Sequence, residues 1–303
     1  MQKNREVEFE IAGGIGNQLF MLCAGIFFQS TLYRPVRFDI SDLNRISQLH
    51  PGHNVFTLGL LENYSVINSD EKRSNLDLLR SKMEMTLNRL IRAKVLSKHS
   101  RLFTSPEIGF INFLEIPRNV IRVKGYFQSW RYTSGIAENF LKNMEKNANL
   151  TEWYSQELEK FSNKPFAAFH VRRGDYRLKI NKEIGILSLT YFKKIEELLP
   201  PDIPLFIFTD DVEEIKREFV GLSRDFRVME PPIDSDPIES LFLMARASHL
   251  AISNSTFSWW AATFTAPGSV IYAPDKWFQL RQDPIDLLPD HWLKIKSDWK
   301  IQE

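Results

Sequence analysis

The sequence predicts an α/β protein built from two Rossmann-like domains. Three observations carry that expectation. In the second half, short apolar stretches of strand composition alternate with helical patterns, the mark of a parallel sheet covered on both faces. The first half opens with a strand, a glycine turn, a helix and another strand, the start of a βαβ unit. The 303 residues suffice for two domains of about 100 to 200 residues each.

In order along the chain, residues 7–12 read as a strand, followed by Gly13-Gly14-Ile15-Gly16-Asn17, a helix over 18–32 and a strand over 36–40. Leu76, Leu79, Met83, Leu87, Leu90, Ile91 and Val95 recur at helical spacing. A strand over 120–127 and a helix over 139–161 complete the first half. Beyond them the strands are expected at 166–171, 205–209, 226–229, 249–253 and 270–273. The helices between them are expected at 190–199, 212–219, 237–247 and 259–265. The polar break at Asn163-Lys164-Pro165 sets the boundary, giving domains over 1–163 and 164–303 that face each other across a cleft.

Composition narrows the class. At 43% apolar and 25% charged residues the chain is ordinary for a soluble protein. A net charge of +1 gives no global case for nucleic acid. A single cysteine, Cys23, excludes an intramolecular disulfide and a cysteine-rich zinc site. The polar start Met1-Gln2-Lys3-Asn4-Arg5 lacks a signal-peptide core, and the apolar stretch 19–28 reads as a buried helix too short to span a membrane. A cytoplasmic protein is therefore expected. Segment 80–101 carries Arg80, Lys82, Arg89, Arg92, Lys94, Lys98 and Arg101 against Glu84 alone. Its first reading is a solvated helix face; its second is peripheral contact with an anionic membrane.

The chemistry concentrates in His170-Val171-Arg172-Arg173-Gly174-Asp175-Tyr176, directly after an apolar run. Ligands of open α/β sheets bind beyond the carboxyl ends of the strands. Arginine's planar fork of donors fits phosphate oxygens and keeps its charge. Gly174 permits a sharp turn, and Asp175 can orient an arginine or act on a hydroxyl. The plain alternative is a pair of solvated or acid-paired arginines. The Arg173-Gly174-Asp175 tripeptide also matches an adhesion signal, poorly placed on a segment leaving a buried strand. Ser255-Thr256-Phe257-Ser258 precedes a helix, whose first-turn amides and hydroxyls can bind an anion, cap the helix, or both. Phe257 is positioned to flank a base or ribose, while Trp259 and Trp260 read as helix core. Gly13, Gly14 and Gly16 fail the dinucleotide fingerprint, because Leu19 stands where its third glycine belongs.

Three segments taken in order resemble the α-1,2-fucosyltransferases, from Gly13 to about Trp277: Gly13-Gly14-Ile15-Gly16-Asn17-Gln18-Leu19-Phe20, the run from His170 to Tyr176, and the run from Ile252 to Ala262. The resemblance implies a GT-B-like fold, GDP-fucose as donor in the second domain, an acceptor entering from the first, and no metal ion or other cofactor. Asp210-Asp211 agrees, since it lacks the spaced acids of metal-dependent transferases. The resemblance gives the β-phosphate to Arg172, with Arg173 as second choice, and the guanine edge to Glu239, with Asp236 as rival. Gly14, Gly16, Asn17 and Gln18 would approach the fucosyl-phosphate end. Asn254, Ser255, Thr256, Phe257 and Ser258 would complete the donor site. Asp210 would touch the nucleotide or, like Thr209, cap the following helix. Asp175 is the first candidate base or an orienter of Arg172. His170 is second, against a packed strand-end role, and the departing phosphate can also take the proton.

The expected activity is transfer of L-fucose to the 2-hydroxyl of a galactoside, in an oligosaccharide or lipid-linked glycan. A transferase with another GDP-sugar or acceptor, and a non-catalytic glycan- or nucleotide-binding protein, are the alternatives.

Overall fold

The computed structural model describes residues 6–43, 52–68, 101–105, 108–161 and 164–301. The basic segment 80–101 and the helical pattern before it lie outside these, Arg101 excepted. The chain forms two compact domains, both parallel α/β as expected.

The first domain holds β1 (Val7–Glu10), α1 (Ile15–Leu32), β2 (Val36–Asp39), β3 (Ser65–Ile67), β4 (Leu102–Thr104) and β5 (Arg122–Lys124). The strands pair in parallel in the order β3-β2-β1-β5-β4. Helix α1 starts earlier than the apolar pattern alone indicates and runs for 18 residues. It is long and apolar enough to cross a membrane by length and composition, which corrects the expectation that this stretch is too short. Here it packs on β1 and β2 as a core helix, with Leu19 to Ala24 buried and Phe28 edge-on to Phe9 at 5.2 Å. Strands β3 and β4, three residues each, are too short for a period-two signal.

The second domain begins with two helices, α2 (Ala137–Asn147) and α3 (Glu152–Phe161). It continues with β6 (Ala167–Val171), α4 (Leu189–Glu196), β7 (Leu205–Thr209), α5 (Val212–Glu218), β8 (Phe226–Val228) and α6 (Pro237–Met244). Then come β9 (His249–Ala251), α7 (Thr256–Thr263), β10 (Val270–Pro274) and the unpredicted edge strand β11 (Leu293–Ile295). Every pairing in the order β11-β10-β9-β6-β7-β8 is parallel. β6 is buried along its whole length, His170 included, as suits a mostly apolar strand covered on both faces.

The chain divides at Ile136/Ala137 rather than at 163/164, with the short piece ending at His53 in the second domain and Pro284–Leu287 in the first. The polar residues at 163–164 resemble a linker, but the helices before them bury their apolar faces in the second domain. Phe140 lies 6.4 Å from Trp260, Tyr154 meets Phe242 edge-on at 6.2 Å, and Phe161 stacks on Phe166 at 4.3 Å. The single helix expected over 139–161 is broken between Asn147 and Glu152. There the Thr151 hydroxyl accepts from the amide of Tyr154 and so starts α3.

The strand orders locate the candidate sites. In the second sheet the chain runs outward from β6 to β7 and β8, then returns to the other side of β6 as β9. The reversal opens a crevice beyond the carboxyl ends of β6 and β9, where doubly wound sheets bind ligands. Residues 172–176 and 252–255 lie there. The first sheet reverses in the same way between β1 and β5, above which stand the glycine turn and residues 125–128.

Candidate active site

At the carboxyl end of β6 the two arginines part company. Arg172 turns into the crevice of the second domain, where two carboxylates fix its guanidinium. Asp175 Oδ1 accepts from Nε at 3.1 Å and Nη2 at 2.6 Å, and Asp210 Oδ2 pairs with Nη1 at 3.0 Å. Those contacts leave a second N–H on each Nη, because guanidinium carries five donors. The Tyr176 ring lies 5.6 Å from the guanidinium carbon. Burial works against the Arg172 charge, but the facing Asp210 and Asp175 outweigh it and raise its pKa. The result is a permanently charged, oriented, partly exposed fork.

Arg173 does the opposite. It is 1% exposed, donates to the Leu187 carbonyl at 3.0 Å and to Glu218 at 3.0 Å, and pairs with Glu214 at 3.4 Å. As a second phosphate ligand it is therefore corrected to a buried structural cation. Asp210 likewise does not cap α5. Asp211 does, accepting from the Glu214 amide at 2.9 Å, while Asp210 Oδ1 takes the Arg173 amide at 2.8 Å. Gly174 is required at this point: a Cβ there would lie 2.3 Å from Asp210 Oδ2.

His170 is buried, with Nδ1 2.8 Å from Ser253 Oγ and its ring 5.8 Å from that of Phe257. Burial, helped by the charge of Arg172, pushes its pKa from 6.5 down to about 3. A histidine that so resists protonation joins β6 to β9 and is a poor base, which corrects its candidacy. Its unfolded form takes up a proton below pH 6.5 while the folded form refuses it until about pH 3. Stability is therefore expected to fall with pH across that interval, by up to about 1.4 kcal/mol per pH unit from this group. Urea unfolding of wild type and His170→Gln from neutral to mildly acid pH checks it, and the variant should respond less steeply.

The loop after β9 supplies the facing wall. Ser255 occupies the N-cap of α7 without a side-chain cap bond, and no acid stands in the first turn. The first-turn amides of Thr256, Phe257 and Ser258 are of the kind that await an external acceptor. Ser258 Oγ turns back to the Ser255 carbonyl at 3.2 Å, so it braces the turn. Asn254 is buried and its Nδ2 donates to the carbonyls of Ile184, Gly185 and Trp277, so that amide nitrogen braces the loop. Its own carbonyl accepts from Tyr176 Oη at 2.9 Å, tying the two walls together. Trp259 and Trp260 are fully buried core residues.

Glu239 is 0% exposed and accepts from Thr151 N at 2.6 Å, Thr151 Oγ1 at 2.8 Å and Ser235 Oγ at 2.5 Å. It anchors the start of α3 and presents no exposed edge to a base. Its rival Asp236 caps α6 through the Ile238 amide. Asp236 Oδ2 also takes the His53 amide at 2.7 Å and Nδ1 at 2.5 Å. Sequence reading missed His53; the structure shows the neighbouring Gly52 at φ +111°, where a Cβ would meet the Asp236 carboxylate at 3.0 Å.

In the first domain, Gly13 has φ +78° and Gly14 is the uncapped N-cap of α1. Gly16 is buried within the first turn. Gln18 is buried and braces the turn, donating to the Gly13 carbonyl at 2.8 Å and accepting from the Val55 amide at 3.1 Å. These partners are backbone groups of the turn and of Val55. Asn17 Oδ1 accepts from Gln128 Nε2 at 2.9 Å.

The sequence matches the family description "Glycosyl transferase family 11" over residues 7–286. The chain belongs to glycosyl transferase family 11. The resemblance to α-1,2-fucosyltransferases therefore holds, and the protein is a glycosyltransferase. It is 23% identical to the O-antigen biosynthesis glycosyltransferase WbnK of Escherichia coli, covering 94% of this chain and 99% of that one. It is 24% identical to an alpha-1,2-colitosyltransferase of the same organism, covering 95% and 98%. It is also 24% identical to galactoside alpha-(1,2)-fucosyltransferase 2 of Oryctolagus cuniculus, covering 61% of this chain and 56% of the relative. Among solved structures, the NodZ alpha-1,6-fucosyltransferase soaked with GDP-fucose aligns with TM-score 0.48 at 15% identity, over 87% of this glycosyltransferase and 93% of that chain.

Proposed function

We propose that this glycosyltransferase moves L-fucose from GDP-fucose to the 2-hydroxyl of a galactoside, with inversion at C1 and without a metal ion. The observation that carries the reading is the Arg172 fork, fixed by Asp175 and Asp210 at the switch point of the second sheet and faced by the uncapped start of α7. As the bond from C1 to the β-phosphate oxygen breaks, negative charge grows on that oxygen. A preorganised cation and aligned amides stabilise it without moving. The neighbouring acids are committed elsewhere: Asp210 to Arg172 and the Arg173 amide, Asp211 to the helix cap and to Arg177 at 2.6 Å. Asp175 engages Arg172 through Oδ1, and its Oδ2 is the oxygen we assign to the acceptor's hydroxyl proton. The acceptor hydroxyl then attacks C1, its proton goes to Asp175, and GDP leaves with the bonding pair.

A second donor is favoured by one observation. The relative named a colitosyltransferase aligns over nearly the whole chain, so GDP-colitose is the alternative sugar nucleotide. The name of the other Escherichia coli relative, an O-antigen biosynthesis glycosyltransferase, supports an O-antigen glycan as acceptor. The test is GDP release from GDP-fucose or GDP-colitose with lactose, in EDTA. Acceptor-dependent release from GDP-fucose is the expected result. Preference for GDP-colitose would transfer the reading to that donor. GDP binding without turnover on any galactoside would favour a binding protein.

A further inference from the structure

The first sheet has its own switch point, and one side chain there is incomplete. Gln128 follows β5, is 7% exposed, and its Oε1 has no hydrogen-bond partner among the described residues. Its Nε2 donates to Asn17 Oδ1 in the first turn of α1. The amide is therefore held against the start of that helix with its carbonyl end unsatisfied. Buried polar atoms are almost always paired, and an exception calls for a missing donor. The surrounding backbone is also unusual. Phe127 takes φ +49° although it is a buried aromatic residue packed on Phe9, Phe113 and Tyr132. Gly125 stands at φ +159°, where a Cβ would come within 2.7 Å of the Ser105 Cβ. Backbone held in a sparsely populated region persists where surrounding contacts enforce it, commonly at ligand sites. Here it sets Gln128 against Asn17, in the first turn of α1.

We propose that Gln128 Oε1 accepts a hydrogen bond from a sugar hydroxyl, and that Asn17 positions the Gln128 amide for it. The ligand must bring a donor, because Oε1 is an acceptor only. It must come close to the backbone, since the adjoining turn carries no side chain at Gly13 or Gly14. A hydroxyl-rich pyranose meets both demands. This inference rests on the glycosyl-transfer reading, and two sugars share the chemistry: the donor's fucosyl group and the acceptor's galactose.

The experiment compares wild type with Gln128→Leu, and with Gln128→Glu as the shape-conserving variant that keeps an acceptor. Thermal midpoints are measured alone and with GDP-fucose, lactose or L-fucose; kcat and both KM values are measured with GDP-fucose and lactose. Leucine removes the unsatisfied Oε1 but also the Nε2 bond to Asn17 Oδ1, so the unliganded midpoint of Gln128→Leu is expected to stay close to that of wild type. Its kcat/KM should fall by about tenfold to a hundredfold, the usual effect of losing one sugar-directed bond, with partial recovery in Gln128→Glu. A loss specific to lactose KM assigns the hydroxyl to the acceptor; a loss in GDP-fucose KM or kcat at unchanged lactose KM assigns it to the donor. A wild-type midpoint raised by none of the three ligands beyond that of Gln128→Leu, or unchanged kinetics in that variant, would overturn the proposal. Absence of wild-type turnover with a ligand-induced midpoint shift that Gln128→Leu lacks would instead sink the fucosyl-transfer reading and leave the sugar site standing.

Discussion

Arg172→Ala is expected to lower acceptor-dependent GDP release by about a hundredfold to a thousandfold, the range seen when one preorganised donor to a developing oxyanion is removed. The effect should fall mainly on kcat, because the charge that Arg172 meets is largest in the transition state. GDP should still bind, more weakly, through the start of α7. Arg172→Lys should recover little. The lysine ammonium is a point charge that cannot meet Asp175 and Asp210 at once with a planar fork and still face a phosphate. The measurement is steady-state GDP release in EDTA beside GDP titration calorimetry. Retained turnover in Arg172→Ala would move the phosphate role elsewhere.

Arg173→Ala, one residue away, should give the opposite phenotype. Its guanidinium is enclosed with Glu218 and Glu214, which also pair with Lys300 at 3.1 Å and 2.8 Å, while Glu214 meets Arg177 as well. Removing one member of a buried charged group leaves the others uncompensated, at about 3 kcal/mol or more. It also orphans the Leu187 carbonyl. Lys300 and the partial exposure of both glutamates place the effect at the lower end. Denaturant unfolding followed by tryptophan fluorescence reads it, and at low temperature the remaining folded enzyme should keep most of its kcat. A drop in kcat without loss of stability would return Arg173 to the phosphate.

The contrast between these neighbours shows what the sequence could and could not reveal. Strand composition, glycine placement and βα alternation put 172–176 and 255–258 at carboxyl ends of strands before any coordinates, since parallel topology gathers such loops on one edge. That alternate side chains leave a strand in opposite directions also separates Arg172 from Arg173 in principle. Partner choice was not legible. Glu239 meets Thr151 across 88 residues and Asn254 meets Ile184 across 70, and local pattern carries no information about such encounters. The misplaced boundary has the same origin: α2 and α3 are amphipathic, and only the position of Trp260 and Phe242 decides which core receives them. Gln128 gave no signal at all, because an unpaired carbonyl is a property of surroundings rather than of composition.

The hydrogen bond between His170 and Ser253 spans 83 residues, and its consequence is temporal. During synthesis the first wall of the nucleotide crevice leaves the ribosome long before the second, so an emerging chain that ends before β9 carries Arg172 without a facing wall. The donor can therefore be recognised only after the sheet has closed around β6. Any molecule that binds the closed form and not the open one must favour closure, by about 2.7 kcal/mol at a concentration one hundred times its Kd. Under the proposed reading GDP would be one such molecule, favouring the closed sheet as well as leaving it after each transfer.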